Sequence, residues 1–372
     1  MAKRRGSQVN RNHPVLLEIE HMAAAMVARG KEPRKHHLVP RFYLERWSEG
    51  GMIRSTDIDA KHSFTSPPEK AAKRTDFYRV EEGTFKWGTP IDFEVFLSVL
   101  EGKVAGITRR LLEDSLQPSD LGIESEGELL WYVALQMTRG VNFRRGMQWN
   151  ELQGHVIRYE RGGDASLGRR LERRGLEATA ERVATMRSQL TEMQDDPQKL
   201  PMLTALKVKQ AATIASALMP YLTSRKLVVY RTPARLVTCD EPVVPLDIDL
   251  GADMGCFGAA NVPITVLPIA PTAVLAMFRS DVPVLLDASE ELTVAEVLDL
   301  NQAILGNAYR YGFERPSLQL TSKLHVPLLP PAGERRVVAK DANGKELHEL
   351  IVGRRWRNQA GAPIRPVRRW WR

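Results

Sequence analysis

Three groups of residues in this 372-residue chain have types and spacing suited to chemistry. The first is His36 and His37, adjacent imidazoles shortly before Pro40 in RKHHLVPRFYLERWS, residues 34–48. Proline pushes its predecessor toward extended conformations and suits the first turn of a helix, so the histidines read as extended chain leading into a short helix over RFYLERW. Neighbours on extended chain point to opposite sides, so the two cannot easily act as a pair. We expect His37 to face the interior or a pocket and His36 to face solvent or a neighbouring loop. Each is either a histidine donating to a backbone carbonyl or a ligand or acid–base group.

The second group lies in LVTCDEPVV. Strand alternation puts Leu236, Thr238 and Asp240 on one side and Val237, Cys239 and Glu241 on the other, and Pro242 ends the ladder. Asp240 at the strand end suits a working carboxylate and equally an Asx-turn. Cys239 has no basic cluster beside it to favour a thiolate and reads as core. The third group is helical. Glu94 and Glu101, seven residues apart, align along one face at about 10 Å between Cα atoms, too far to share one metal ion. Gln136 falls in register with Leu129 and Val133, with Arg139 one turn later, and Asn301 falls in register with Val294, Leu298 and Leu305. A buried amide left unpaired costs about 1–3 kcal/mol, so each is expected to have a definite partner. Arg139 is expected to pair with Glu101 or Asp240, as a brace or as an anion-binding fork.

The elements that must position these residues follow from pattern. HPVLLEIEHMAAAMVARG reads as a helix over about 14–29, and GMIRSTDID as a strand. Helical spacing covers about 91–114, 124–160, 167–194 and 199–224. Short strands follow in RKLVVYRT, RLVTCDEPVV, VPITVLPIA and AVLAMF, then a helix over about 293–311 and a strand-like KLHVPLL. Asn343-Gly344 between two strand-like runs marks a hairpin. The expected fold class is α+β, a helical middle packed with a mixed or antiparallel sheet formed by N- and C-terminal segments. Its organisation is a basic extension with a short helix (1–34), a globular domain (35–330) with a helical insertion over about 91–224, a hairpin (331–352) and a basic tail (353–372).

Composition narrows the function classes. A 43% hydrophobic chain can build a core, and two cysteines without CxxC spacing make neither a disulfide framework nor a zinc cluster. No apolar run is long enough to span a bilayer, and a cytoplasmic location is expected. The net charge of +8 resides in the ends: residues 1–14 carry four Lys and Arg, residues 353–372 carry seven Arg, and neither segment has an acid. These exceed the total, so the stretch between is slightly acidic. In the tail, Arg354, Arg355, Arg357, Arg368, Arg369 and Arg372 interleave with Trp356, Trp370 and Trp371. That mixture suits nucleic acid through phosphate attraction and stacking, or, as a lesser alternative, an anionic membrane surface. Glycine-rich phosphate loops and dinucleotide fingerprints are absent, so no nucleotide cofactor is expected.

HHLVPRFYLERWS resembles the opening signature of the bacterial domain-of-unknown-function 4238 family, a His-His-aromatic-Val-Pro-x-Phe-Tyr-Leu run. TDFYRV, LEGKVAGITRRLLE, LLWYVALQMTRG, LVTCDEPVV and LNQAILGNAYRYGF are similar to further family segments in the same order, covering about residues 35–315. Leu38 stands where an aromatic is usual, and Cys239 and Glu241 replace a serine and an asparagine beside Asp240. The resemblance carries no activity with it. On the residues themselves, the expected function is a metal-assisted phosphodiester hydrolase. His37, Asp240 and Glu101 would be catalytic, a divalent metal would sit on His37 and Asp240, and His36, Arg41, Gln136, Arg139, Glu241 and Asn301 would bind or support. The alternative is a non-catalytic module with a structural polar core and a nucleic-acid- or partner-binding tail.

Overall fold

The structure is a computed structural model that describes residues 14–30, 34–80, 91–113, 116–173, 175–200, 202–246, 260–353 and 355. The N-terminal part contains α1 (Pro14–Ala28), β1 (Lys35–His37), α2 (Arg41–Leu44), β2 (Ile53–Asp57), β3 (His62–Ser66) and β4 (Lys73–Thr75). The helical middle consists of α3 (Asp92–Glu113), α4 (Ile123–Thr138), α5 (Val141–Arg173), α6 (Ala180–Asp195) and α7 (Thr204–Thr223). Then come β5 (Lys226–Arg231), β6 (Thr238–Cys239), β7 (Val244–Leu246), β8 (Ile264–Ala270), β9 (Ala273–Phe278), α8 (Val294–Asn307), β10 (Tyr311–Glu314), β11 (Gly333–Lys340) and β12 (Glu346–Val352). The fold is α+β.

Two four-stranded antiparallel sheets frame the centre, in the orders β3-β2-β10-β6 and β5-β9-β8-β7. The first joins N-terminal strands to C-terminal ones. β8 and β9 are buried at every residue, as strands covered on both faces must be. The main core runs from Leu44 and Trp47 through Leu129 and Val133 of α4 to Leu267 and Leu275 of the second sheet. α4 packs between α3 and α7.

Several expected elements differ from those observed. The helix expected over 124–160 is two, broken at Arg139 and Gly140; α5 is itself interrupted at Gly163 (φ 52°, ψ −151°), in the gap expected between 160 and 167, and its second part ends at Arg173. The last helix ends at Asn307; residues 308–310, expected at its end, are the connection to β10, which starts at Tyr311 and is paired on both edges. KLHVPLL is not a strand. Residues 331–352 contain the hairpin β11–β12, turned at Gly344 with φ 78° and held by the Asp341 carboxylate, which accepts from the N–H groups of Asn343 and Lys345.

Candidate functional site

The histidine segment is fixed from both sides. β1 pairs antiparallel with β4, placing His37 opposite Lys73, and Pro40 opens α2. The helical turns after it are pinned to the distant strands: Tyr43 Oη shares a 2.7 Å hydrogen bond with Thr238 Oγ1, and Trp47 Nε1 donates to the Leu236 carbonyl at 3.0 Å. Residues 36–43 and 238–242 therefore meet, although nearly 200 residues separate them.

The orientation of His36 is opposite to the expectation, which placed it toward solvent. His36 is the fully buried one, its Nδ1 accepting from the Tyr78 N–H at 2.6 Å while its ring stacks on that of Tyr78. Its acceptor lone pair belongs to the fold. His37 is half-buried, its ring hydrogen-bonds the Glu69 backbone, and its Nε2 has no partner. Burial, with the charges of Lys73, Arg139 and Arg41 nearby, lowers its pKa to about 4. His37 is thus a neutral imidazole with one unoccupied nitrogen.

Arg139 lies at the centre of the polar cluster. It is the C-cap residue of α4, 1% exposed, and its Nη1 donates to Glu101 Oε1 at 2.8 Å. Its Nε and Nη2 have no partner. Burial works against its charge, but the facing Tyr78, Glu101 and Tyr132 oxygens outweigh that and raise its pKa. Burial raises Glu101 as well, with Arg139 pulling the other way. Burial lifts Glu94, one helical repeat away, to about 7; Arg139 and Lys73 lower it and Glu101 raises it further. Tyr78 Oη, near Arg139, also lacks a partner, and the Tyr132 hydroxyl faces the Gln136 side-chain amide.

Asp240 is elsewhere in function. Its carboxylate accepts from three successive backbone N–H groups, those of Tyr309 (2.8 Å), Arg310 (2.9 Å) and Tyr311 (3.1 Å). Burial raises its pKa to about 6 against those donors. It holds the chain between α8 and β10, and its neighbours are not those of His37. Among the described residues no group of three or more His, Cys, Asp or Glu could hold a metal ion. His37, Asp240 and Glu101 do not form the expected ligand set.

Other supporting residues have structural partners. Glu241 accepts from the N–H groups of Asn142, at 2.9 Å, and Val141, capping α5, and burial together with Asp240 raises it to about 8. Asn301 Oδ1 accepts from Val237 N at 2.8 Å while its Nδ2 donates to the Arg235 carbonyl, stapling α8 to the strand before Asp240. Arg41 forms an exposed pair with Glu45. Cys239 is buried and free, its thiol pushed up by burial, as an inert core cysteine should be. In the tail, Arg355 is a correction to the expected anion surface. It is 1% exposed and donates to Asp59 and to the carbonyls of Ala308, Pro327 and Tyr309. Arg354, Trp356, Arg357, Arg368, Arg369, Trp370, Trp371 and Arg372 lie outside the described residues.

Tyr132 was legible and missed: Tyr132, Gln136 and Arg139 follow the i, i+4, i+7 spacing of one helix face. Tyr78 carries no such pattern, because a loop residue has no periodicity to betray its side. No helix among the described residues is long and apolar enough to cross a membrane. Neither the curated proteins nor the solved structures contain a match to the chain. A family model does match, over residues 35–317, most of the chain and the whole of the cluster around Arg139. Its description is "Protein of unknown function (DUF4238)", and the chain belongs to that family.

Proposed function

We propose that the cluster around Arg139 binds an oxyanion and that the chain is a hydrolase of phosphate esters, phosphodiesters foremost. The observation that carries this reading is the fully buried Arg139 with two unpartnered N–H-bearing nitrogens. Buried donors left unmade cost about 1–3 kcal/mol each, and more on a charged group. A phosphate oxygen pair presented to the guanidinium fork would satisfy both.

In this scheme Arg139 holds the phosphate and stabilises charge developing on it. His37 Nε2 takes the proton of an attacking water as its oxygen bonds to phosphorus. The bond to the leaving oxygen breaks, and Glu94, protonated up to about pH 7, gives that oxygen its proton. The products are a phosphomonoester and an alcohol, and proton exchange with solvent resets both groups. A bound phosphate raises the His37 pKa from about 4 toward the working range, because an anion favours the imidazolium. The expected ligand set is not assembled, so no step runs through a metal.

The test is hydrolysis of bis(p-nitrophenyl) phosphate across pH, with and without a chelator. Activity should rise through a pKa above 4 and fall through one near 7, and should persist in chelator. Glu94→Gln should abolish the alkaline limb along with most of kcat, and His37→Ala should cost about 10²–10⁴-fold. Folded wild type without activity on phosphodiesters, or with both variants matching wild type, sinks the reading. Activity lost on chelation and restored by a divalent ion would return the chemistry to a metal.

A further inference from the structure

A second cation, half-buried, acts on the Tyr78 hydroxyl together with Arg139. Arg144, in the first turn of α5, has its guanidinium carbon 3.4 Å from the Phe77 ring centroid and 5.4 Å from that of Tyr78. Stacking on aromatic faces offsets part of the cost of burying it. No carboxylate among the described residues pairs with it; the other cation acting on it is Arg74, and its Nε is buried without a partner. Burial lowers its pKa to about 10, which leaves it charged at neutral pH.

The placement links it to the first site. The Tyr78 hydroxyl is subject to both Arg139 and Arg144, so one ring stands next to two guanidiniums, and its own Oη is unpartnered. Glu101 compensates Arg139, whereas no acid compensates Arg144. Outward of the pair, Arg74 lies over the Tyr309 ring at 5.3 Å and Lys73 faces His37. Two bare guanidinium edges around one hydroxyl exceed what a single monoanionic group can satisfy.

We infer, on the reading of Arg139 as an oxyanion site, that the ligand carries two closely linked anionic groups, a diphosphate in chemical class. One sits on Arg139 and the second on Arg144, with the Tyr78 hydroxyl donating between them. Arg144 is then a specificity-determining residue and touches a group other than the one cleaved.

Calorimetric titration of the full chain with orthophosphate and with methylenediphosphonate, whose P–C–P bridge resists hydrolysis, tests this. Wild type should bind the diphosphonate about tenfold or more tightly than orthophosphate, the equivalent of one added charge-assisted contact. Arg144→Ala should bring the two within about twofold while leaving orthophosphate affinity nearly unchanged, and Arg144→Lys should give an intermediate ratio. Should Arg144→Ala fail to fold, Arg144→Lys decides: a wild-type ratio in it overturns the inference. Equal binding of both probes by wild type, or a preference that survives Arg144→Ala, also overturns it while leaving the Arg139 site standing. Wild type that binds neither probe overturns both together.

Discussion

His37 and Glu94 act on stability with opposite sign. The pKa of Glu94 is raised in the folded chain, from 4.5 to about 7, so the fold holds its proton more tightly than the unfolded chain does. Stability then falls as pH rises from about 4.5 to 7. The pKa of His37 is lowered, from 6.5 to about 4, so the unfolded chain binds the proton more tightly and stability rises with pH over about 4–6.5. The two partly cancel in the wild type. Asp240, Glu241 and Glu101, also raised, lower stability with rising pH in every variant, so the readout is the change from wild type. Between pH 4.5 and 6.5 chemical denaturation of Glu94→Gln should show a more positive slope of stability with pH and His37→Asn a more negative one, each by up to about 2–3 kcal/mol over the window. Parallel slopes in both variants would mean the two groups are not in the buried environments described. A related expectation concerns Arg139→Met, which strands Glu101. It should cost about 3–5 kcal/mol at neutral pH, and Glu101→Gln added to it should recover part, since a neutral amide tolerates burial better than an unpaired carboxylate.

The elements show where sequence pattern suffices and where it stops. β8 and β9, continuous apolar runs, and α3, with its apolar stripe, declare themselves because their own residues carry the period. The break between α4 and α5 does not. Helical spacing runs unbroken across it, with no proline, and its cause lies about 100 residues on, where the Glu241 carboxylate caps the α5 N-terminus. β10 was hidden for the same reason: its partners β2 and β6 are remote, and four residues after a helix carry too little alternation to stand alone. Asp240 fell to the same limit, since its three backbone donors come from residues 309–311. Gly140 is the one local trace of the break, because a Cβ there would run into the Glu241 carboxylate. Gly140→Ala should therefore destabilise by about 1–3 kcal/mol, read from a denaturation midpoint. Glu241→Ala alone should cost about 0.5–2 kcal/mol or more through the lost cap, and the double variant should cost less than the sum, because the clash disappears with the carboxylate. Strict additivity would place the cost of Gly140→Ala elsewhere.

At the scale of the whole molecule, charge counting and burial give different accounts of the C-terminal segment. Counted along the sequence, Arg355 is one of seven tail arginines; in the fold it joins three remote places, Asp59 after β2, Ala308 and Tyr309 after α8, and Pro327. Composition cannot distinguish an arginine that meets solvent from one that replaces solvent for three backbone carbonyls. Two truncations separate these roles. A chain ending at Arg357 keeps the anchor and should melt within a degree or two of the full chain, whereas one ending at Gly353 loses it. The stranded Asp59 and carbonyls should then cost about 3–5 kcal/mol, a fall of several degrees in a chain of this size. Any polyanion binding by the remaining tail arginines should weaken in the chain ending at Arg357, which keeps Arg354 and Arg357, and vanish in the one ending at Gly353, and with it a salt dependence of about −0.9 per duplex phosphate contacted. Arg355→Met in the full chain should instead lower the melting temperature while leaving that slope unchanged, because a guanidinium occupied by Asp59 and three carbonyls has no donor left for a phosphate. A slope reduced by Arg355→Met at unchanged stability would return this arginine to the surface.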